Sequence, residues 1–408
     1  MNRWRAAPSG SDALRVVVVG AGAAGALTAL ALVRQLGAIE RPVHVSIIDP
    51  GPPGDGVGGG VAFSTRDPRH LLNVRARDLS AHLDDPEDFT RWARRAIDPG
   101  TCPDDFLPRG ALGDYLREAL DEALSVSDRV TAERVRATVL ALGRAPARPD
   151  GPGSERVRLL LDTGERLVVD AVVLAVGIEA PGTDWAPFDL VVSDRFVPDP
   201  WRPGAIDAVA GADGDVLLIG TGLTMVDVAL SVARPGRTVV AISRRGLLPM
   251  PHASTRVAAA PSRHLVAAIG DQTALDLGTV RRLVGEHLAA GARRGDWRPA
   301  FDGLRPVTSL LWQRMSHADR EEFLRVDAPF WETHRHRMPR ASAAALAARL
   351  RAKEVVVGPG EVTEVTEVTE VTRGPGRRRG GAGERPGCSG CGRRWRPPAG
   401  WSWPGGGR

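Results

Sequence analysis

The 408 residues contain one tyrosine, three cysteines and, at Lys353, one lysine. Cys102 in the body and Cys388 and Cys391 near the C-terminus are too few for a disulfide-stapled secreted scaffold, so a reducing cytoplasm is expected. Arginine supplies every other basic charge; with alanine and glycine abundant, this usage reads as GC-rich coding, not as a functional choice. The body has no basic excess either. Residues 373–408 carry nine arginines against one acid, Glu384, whereas residues 1–372 hold 45 basic and 48 acidic residues, a net of −3. A nucleic-acid partner would rest on that tail alone and is not expected, because the tail is of low complexity and offers no stacking platform. A 43% hydrophobic, 25% charged chain of this length is globular and can bury a core for two domains.

The one long apolar stretch, Val16 to Val33, superficially resembles an export signal or a membrane span. Its internal arrangement argues otherwise. Four valines suit a buried parallel strand, glycines follow at fixed spacing, and an Ala/Leu run ends at Gly37, a helix C-cap. No membrane association is expected.

The chain then alternates in α/β fashion. Val16–Val19 predicts a strand, Ala23–Leu36 a helix and Val43–Ile48 a second strand. The segment 51–60 holds six glycines and two prolines, suited to a backbone lying against a ligand. Helices are expected over Pro86–Ala96 and Gly110–Leu124. Strands are expected over Val157–Leu161 and around Val168, joined by a turn at Asp162, Thr163 and Gly164, then over Val172–Val176. Pro198, Pro200 and Pro203 mark a boundary. The cycle restarts with a strand at Val216–Ile219, a helix at Leu223–Ala233 and a strand at Thr238–Ser243; helices dominate 274–350. Residues 361–372 are four copies of Glu-Val-Thr, and the Arg/Gly/Pro/Trp run beyond them is expected to be disordered.

Two motifs carry chemistry. Gly20-x-Gly22-x-x-Gly25 follows the valine strand and opens the helix, and Asp49 ends the next strand. Gly20 permits the tight turn, Gly22 lets a pyrophosphate reach the backbone, and Gly25 lets helix and strand pack closely. The amides of Ala23 and Ala24 then face the phosphates, and Asp49 accepts from a ribose. Glycines serving packing alone are the competing reading. The second motif, Gly220-x-Gly222 followed by Leu223 and Thr224, is weaker, because Met225 stands at the third glycine's place. Its second strand ends in Ser243, Arg244 and Arg245, and arginine there suits the 2′-phosphate of NADPH over NADH; an ordinary surface loop is the alternative.

Further segments carry a family resemblance: Gly60-Val61-Ala62-Phe63-Ser64, His70-Leu71-Leu72-Asn73-Val74, Phe106-Leu107-Pro108-Arg109 before Tyr115-Leu116, Ile242 to Gly246, and His334 to Arg337. Together with the two motifs they resemble the FAD/NAD(P)-binding flavoproteins that include an FAD-dependent urate hydroxylase and a nitrosuccinate-forming aspartate N-monooxygenase, over about residues 14–357. The resemblance implies an α/β fold with a Rossmann-type FAD-binding domain and a second, NAD(P)-binding Rossmann-like unit. It implies FAD on Gly20, Gly22, Gly25 and Asp49, with Ala62, Phe63, Asn73, Val74 and Arg109 near it, and NADPH (or NADH) at the second motif. The implied domains are 14–197 for FAD, 213–340 for the nicotinamide nucleotide and associated helices, 341–357 as the start of a return to the first domain, and 358–408 as an aberrant tail where the family's closing segment would stand.

The implied reaction is reduction of FAD by NAD(P)H, then hydroxylation of a small polar metabolite with O2 through a C4a-peroxyflavin. The flavin carries that chemistry, and the sequence nominates no catalytic acid or base. A flavin oxidoreductase that does not use oxygen and a truncated, non-catalytic nucleotide-binding protein are the alternatives; the oligomeric state is unspecified. No metal is expected. His334 and His336, two residues apart, point to different sides of a helix, and Cys388-x-x-Cys391 has no partner pair. The absence of a Cys-x4-Cys by the first helix separates the chain from disulfide-reducing flavoproteins.

Overall fold

A computed structural model describes residues 13–51, 57–146, 155–178 and 182–365. The Glu-Val-Thr copies beyond residue 365, Cys388, Cys391, the arginine-rich tail and residues 52–56 of the glycine loop lie outside the described residues.

The strands are β1 (Leu14–Val19), β2 (Val43–Ile48), β3 (Val130–Val135), β4 (Val139–Ala145), β5 (Arg156–Leu161), β6 (Arg166–Val169), β7 (Ala171–Leu174), β8 (Val216–Ile219), β9 (Val239–Ser243) and β10 (Val355–Pro359). The helices are α1 (Ala23–Leu36), α2 (Gly60–Phe63), α3 (Asp88–Ala96), α4 (Arg109–Val126), α5 (Phe188–Val191), α6 (Ala205–Gly211) and α7 (Leu223–Val232). These are followed by α8 (Arg263–Ile269), α9 (Leu277–Arg293), α10 (Arg298–Asp302), α11 (Arg305–Arg314), α12 (His317–Val326), α13 (Ala328–Arg335) and α14 (Arg340–Arg351). The fold is α/β, with two Rossmann-type parallel sheets.

In the first sheet, ordered β3-β2-β1-β7, all strands run parallel. The valine run forms its centre because successive side chains serve opposite faces, and both faces are dry. Val16 and Val18 meet Ala26, Ala29, Leu30 and Val33 of α1 on one side. Val17 and Val19 meet Leu159, Leu161 and Val169 on the other, where the antiparallel meander β4-β5-β6 covers the sheet.

The second sheet, ordered β10-β9-β8, is also parallel. One face is covered: Val239, Ala241 and Val355 pack with Val226 and Ala229 of α7 and Leu346 of α14. On the other face Leu217 is 51% exposed, Ile219 41% and Val356 45%; among the described residues no meander shields it. The segment 341–357 was expected to begin a return to the first domain. Instead β10 pairs with β9, Val355 opposite Val239, and so extends the second sheet. Its valines are those of a parallel strand, but which sheet receives them is decided by the α14 crossover packing on α7. Helices α8 to α13 form a separate core around Leu283, Leu288, Trp297, Phe301 and Leu304.

Candidate functional site

The first glycine turn is built by contact. Gly20 has φ +107°, and its missing Cβ would stand 2.2 Å from the Ala175 carbonyl oxygen just after β7, so no side chain fits there. Gly25 is needed for packing: a Cβ would lie 1.9 Å from the Gly20 carbonyl oxygen. Gly22 is under no such pressure. Its φ is −69°, and an added Cβ would touch only the Gly60 Cα, at 3.6 Å. The sequence reading of three separate roles thus separates physically: two glycines are demanded by the fold, and the middle one is tolerant.

What Gly22 leaves accessible is the N-terminus of α1. The amides of Ala23, Ala24 and Gly25 have no acceptor among the described residues, no acidic side chain stands in the first turn, and Ala24 is exposed. Asp49 is turned onto the same place. Its Oδ2 accepts from the Ala21 amide at 2.8 Å and its Oδ1 from the Gly51 amide at 2.8 Å, which fixes the carboxylate while leaving lone pairs for hydroxyls. Free amides for a pyrophosphate and an oriented carboxylate for a ribose are the donor set an FAD requires. The residues present fit the group.

The Gly-Val-Ala-Phe segment reaches the turn as α2. Gly58 donates to the Ala21 carbonyl oxygen at 2.8 Å, and a Cβ on Gly60 would stand 2.9 Å from the Gly22 Cα. Behind it, Cβ atoms on Gly110 and Gly113 of α4 would meet the carbonyl oxygens of Thr65 and Phe63 at 2.6 and 2.8 Å. Glycines on both sides therefore wedge α2 against the turn. Ala62 is exposed there, and Phe63 is half-buried against the first core. Asn73 and Val74 run toward the second unit: the Asn73 carbonyl oxygen lies 3.0 Å from His252 Nε2, and Val74 is exposed.

The second turn repeats the first. Gly220 has φ +111° and donates to the Ile242 carbonyl oxygen at 2.7 Å, as Gly20 donates to Ile48 at 2.8 Å. Here nothing stands within 4 Å of a Cβ at Gly220 or Gly222, so the cradle is open. The amides of Leu223, Thr224 and Met225 again have no acceptor among the described residues. Met225 takes the third glycine's place by sending its side chain into the helix–sheet core, where it is 5% exposed. Ser243 is used locally, its Oγ bonding Thr221 Oγ1 at 2.8 Å and accepting from the Gly246 amide at 3.0 Å. Arg245 is committed to the carbonyl oxygens of Arg325 and Val326. Arg244 is exposed and unpartnered among the described residues.

Arg109 joins the two units. Its guanidinium lies 2.6 Å from Asp227 Oδ2, donates to the Leu71 carbonyl oxygen and covers the Trp201 ring. Asp227 is 4% exposed; burial pushes its carboxyl up to about 6, against the pull of Arg109. Beside it, Thr65 donates to His70 Nδ1 at 2.7 Å, His70 Nε2 to Ser231 Oγ at 2.8 Å, and Ser231 to Asp67 Oδ2 at 2.7 Å. His70 is buried, and burial lowers its pKa, which keeps this chain of bonds on the neutral ring. Burial would raise Asp67, but hydrogen bonds from Arg69 and Ser231 more than reverse it.

Sequence reasoning did not find Asp227, Ser231 or Trp201, whose partners are distant in the chain. It also missed Arg134, whose guanidinium stands 3.6 Å from Asp49 Oδ1 at the end of β3. His334 is buried against Trp297, while His336 is exposed and pairs with Glu332 at 2.9 Å. No helix among the described residues is long and apolar enough to cross a membrane.

Residues 17–179 match the family model described as FAD-NAD(P)-binding. The match contains the first glycine turn, Asp49, α2 and Arg109, and stops before the second turn. No curated protein matches the chain. Among solved structures, OTEMO in complex with FAD and NADP aligns at 21% identity and a TM-score of 0.39, covering 59% of this chain and 41% of that one. The open form of cyclohexanone monooxygenase aligns at 19% identity and a TM-score of 0.36, covering 64% of this chain and 44% of that one. The chain thus spans less than half the length of these two structures.

Proposed function

We propose that this chain, whose residues 17–179 match an FAD-NAD(P)-binding domain, is an FAD-dependent oxidoreductase that consumes NADPH or NADH. The observation that carries the reading is the pairing of two glycine turns whose helix amides have no acceptor among the described residues, one beside a fixed carboxylate, Asp49, and the other followed by an exposed cation, Arg244, unpartnered among the described residues. The first arrangement suits an adenosine ribose and the second a 2′-phosphate.

Bound FAD would supply hydride acceptance and electron delivery to a second substrate. The chain's own residues bind and orient. Ala23, Ala24 and Gly25 would hold the FAD pyrophosphate by their amides, and Asp49 the ribose. Leu223 and Thr224 would hold the nicotinamide nucleotide, with Arg244 choosing NADPH. Arg109–Asp227 and the Thr65–His70–Ser231–Asp67 chain fix α7 against the FAD-side loop, so that two bound nucleotides would keep one relative position. No acid or base is assigned.

Within this reading, hydroxylation of a small polar metabolite with O2 in the cytoplasm is the finer proposal. Beside the Gly20 contact, however, Leu174 is 60% exposed, Val176 69% and Ile178 96%. A site open on that side lets water reach a reduced cofactor, which favours passing electrons to a free acceptor over coupled hydroxylation. Anaerobic addition of NADPH to the FAD-loaded protein tests the general reading: the flavin absorbance should bleach, faster than with NADH. Absence of bleaching with either nucleotide would overturn it. Readmitting air without substrate then separates the finer readings, since stoichiometric peroxide marks the open-site route.

A further inference from the structure

Away from both glycine turns, the helical subdomain holds a cavity of about 390 Å³ between α8 and α9. Leu265, Ala268, Leu283 and Ala290 make it largely apolar, and His264, His287, Glu286 and Arg294 share its wall. His264 is exposed; His287 is 3% exposed. His287 Nε2 stands 2.8 Å from the Ala300 carbonyl oxygen, which can only accept, so Nε2 carries the ring proton and Nδ1 a lone pair. That lone pair faces His264 Nε2 at 3.2 Å, and the ring centroids are 4.9 Å apart.

A bent N–H···N bond accounts for these two distances. The same separation lets one ion bridge the pair, since bonds of about 2.05 Å at about 90° to 109° put two nitrogens about 2.9 to 3.4 Å apart.

We propose that His264 Nε2 and His287 Nδ1 bind one divalent late first-row metal ion, of the imidazole-seeking class of Cu²⁺, Ni²⁺ and Zn²⁺. Ala300 supplies the carbonyl acceptor that fixes the tautomer of a ligating histidine. On binding, the His264 proton moves through solvent from Nε2 to Nδ1, and the hydrogen bond between the rings is replaced by two nitrogen–metal bonds without change of oxidation state. The other positions go to water or to a small ligand in the cavity. Glu286 lines it too but is paired with Arg282 at 3.3 Å, and among the described residues no group of three His, Cys, Asp or Glu surrounds a metal. The site is therefore open and exchangeable, unlike a closed structural one.

Cu²⁺ titration of the full chain carrying Cys388→Ser and Cys391→Ser, followed by calorimetry and electron paramagnetic resonance, tests this without interference from the tail thiols. We expect about one equivalent bound with a Kd on the order of 10 µM and coupling to two imidazole nitrogens. His264→Ala, at an exposed position, should weaken binding at least about tenfold and leave a single nitrogen, as should His287→Gln, whereas His317→Ala on distant α12 should change nothing. Failure to saturate below about 1 mM, or binding that His264→Ala leaves intact, overturns the proposal.

Discussion

Gly22→Ala separates binding from folding. The substituted residue keeps an ordinary backbone, φ −69°, and its methyl group meets only the Gly60 Cα at 3.6 Å, an ordinary van der Waals contact. The fold should lose no more than about 1 kcal/mol, the usual penalty for alanine at a helix N-cap. On the proposed reading, the same methyl group stands between a bound pyrophosphate and the amides of Ala23 and Ala24. Each charge-assisted hydrogen bond lost contributes about 1.5–3 kcal/mol, so FAD affinity should fall by about 10- to 150-fold per bond. Flavin fluorescence titration measures the affinity, and thermal denaturation of the apoprotein measures the fold. If FAD binds the variant as tightly as the parent, Gly22 does not face the pyrophosphate and the glycines serve packing alone.

Gly25→Ala should do the reverse: a Cβ 1.9 Å from the Gly20 carbonyl oxygen must push α1 off β1, at a cost of about 1–3 kcal/mol or more, seen as a lower melting temperature without any cofactor present. Arg244→Ala removes an exposed cation that is unpartnered among the described residues, so melting and FAD affinity should hold while KM for NADPH rises about tenfold or more and KM for NADH stays level in steady-state assays. Asp227 gives a pH signature. Its folded pKa of about 6 lies above the unfolded value of 3.8, so its contribution is full at low pH and is lost as pH rises from about 4 to 6, by at most about 3 kcal/mol. Subtracting the urea-denaturation stability of Asp227→Asn from that of the parent across this range should show the decline, and a flat or rising difference would refute the assigned direction.

The first βαβ unit was legible almost to the residue because its signals are local: β1 begins at Leu14, two residues before the expected start, and α1 and β2 match their expected bounds. Four valines demand a strand dry on both faces, and glycine spacing demands a turn with φ above zero at Gly20. Strands β3 and β4 escaped notice because Glu133, Arg134 and Arg144 interrupt their apolar character. The interruptions have uses invisible in sequence: Glu133 accepts from Ser46 at 2.9 Å, and Arg134 stands by Asp49. Helix α2 was hidden by glycines that read as a loop, although they allow the close approach to Gly22. The place of β10 was misread because a valine run specifies a strand without naming its neighbour. Arg109, Asp227, His70 and Ser231 form one network from residues up to 161 positions apart, which no local pattern could have joined.

The most direct test of the account is the absorption spectrum of the full chain after incubation with excess FAD and gel filtration. The two-turn reading predicts one flavin retained per chain, with a spectrum that bleaches on anaerobic addition of NADPH. A colourless protein, folded by circular dichroism yet unable to retain FAD, would contradict the assignment of Gly20, Gly22, Gly25 and Asp49 to a flavin nucleotide.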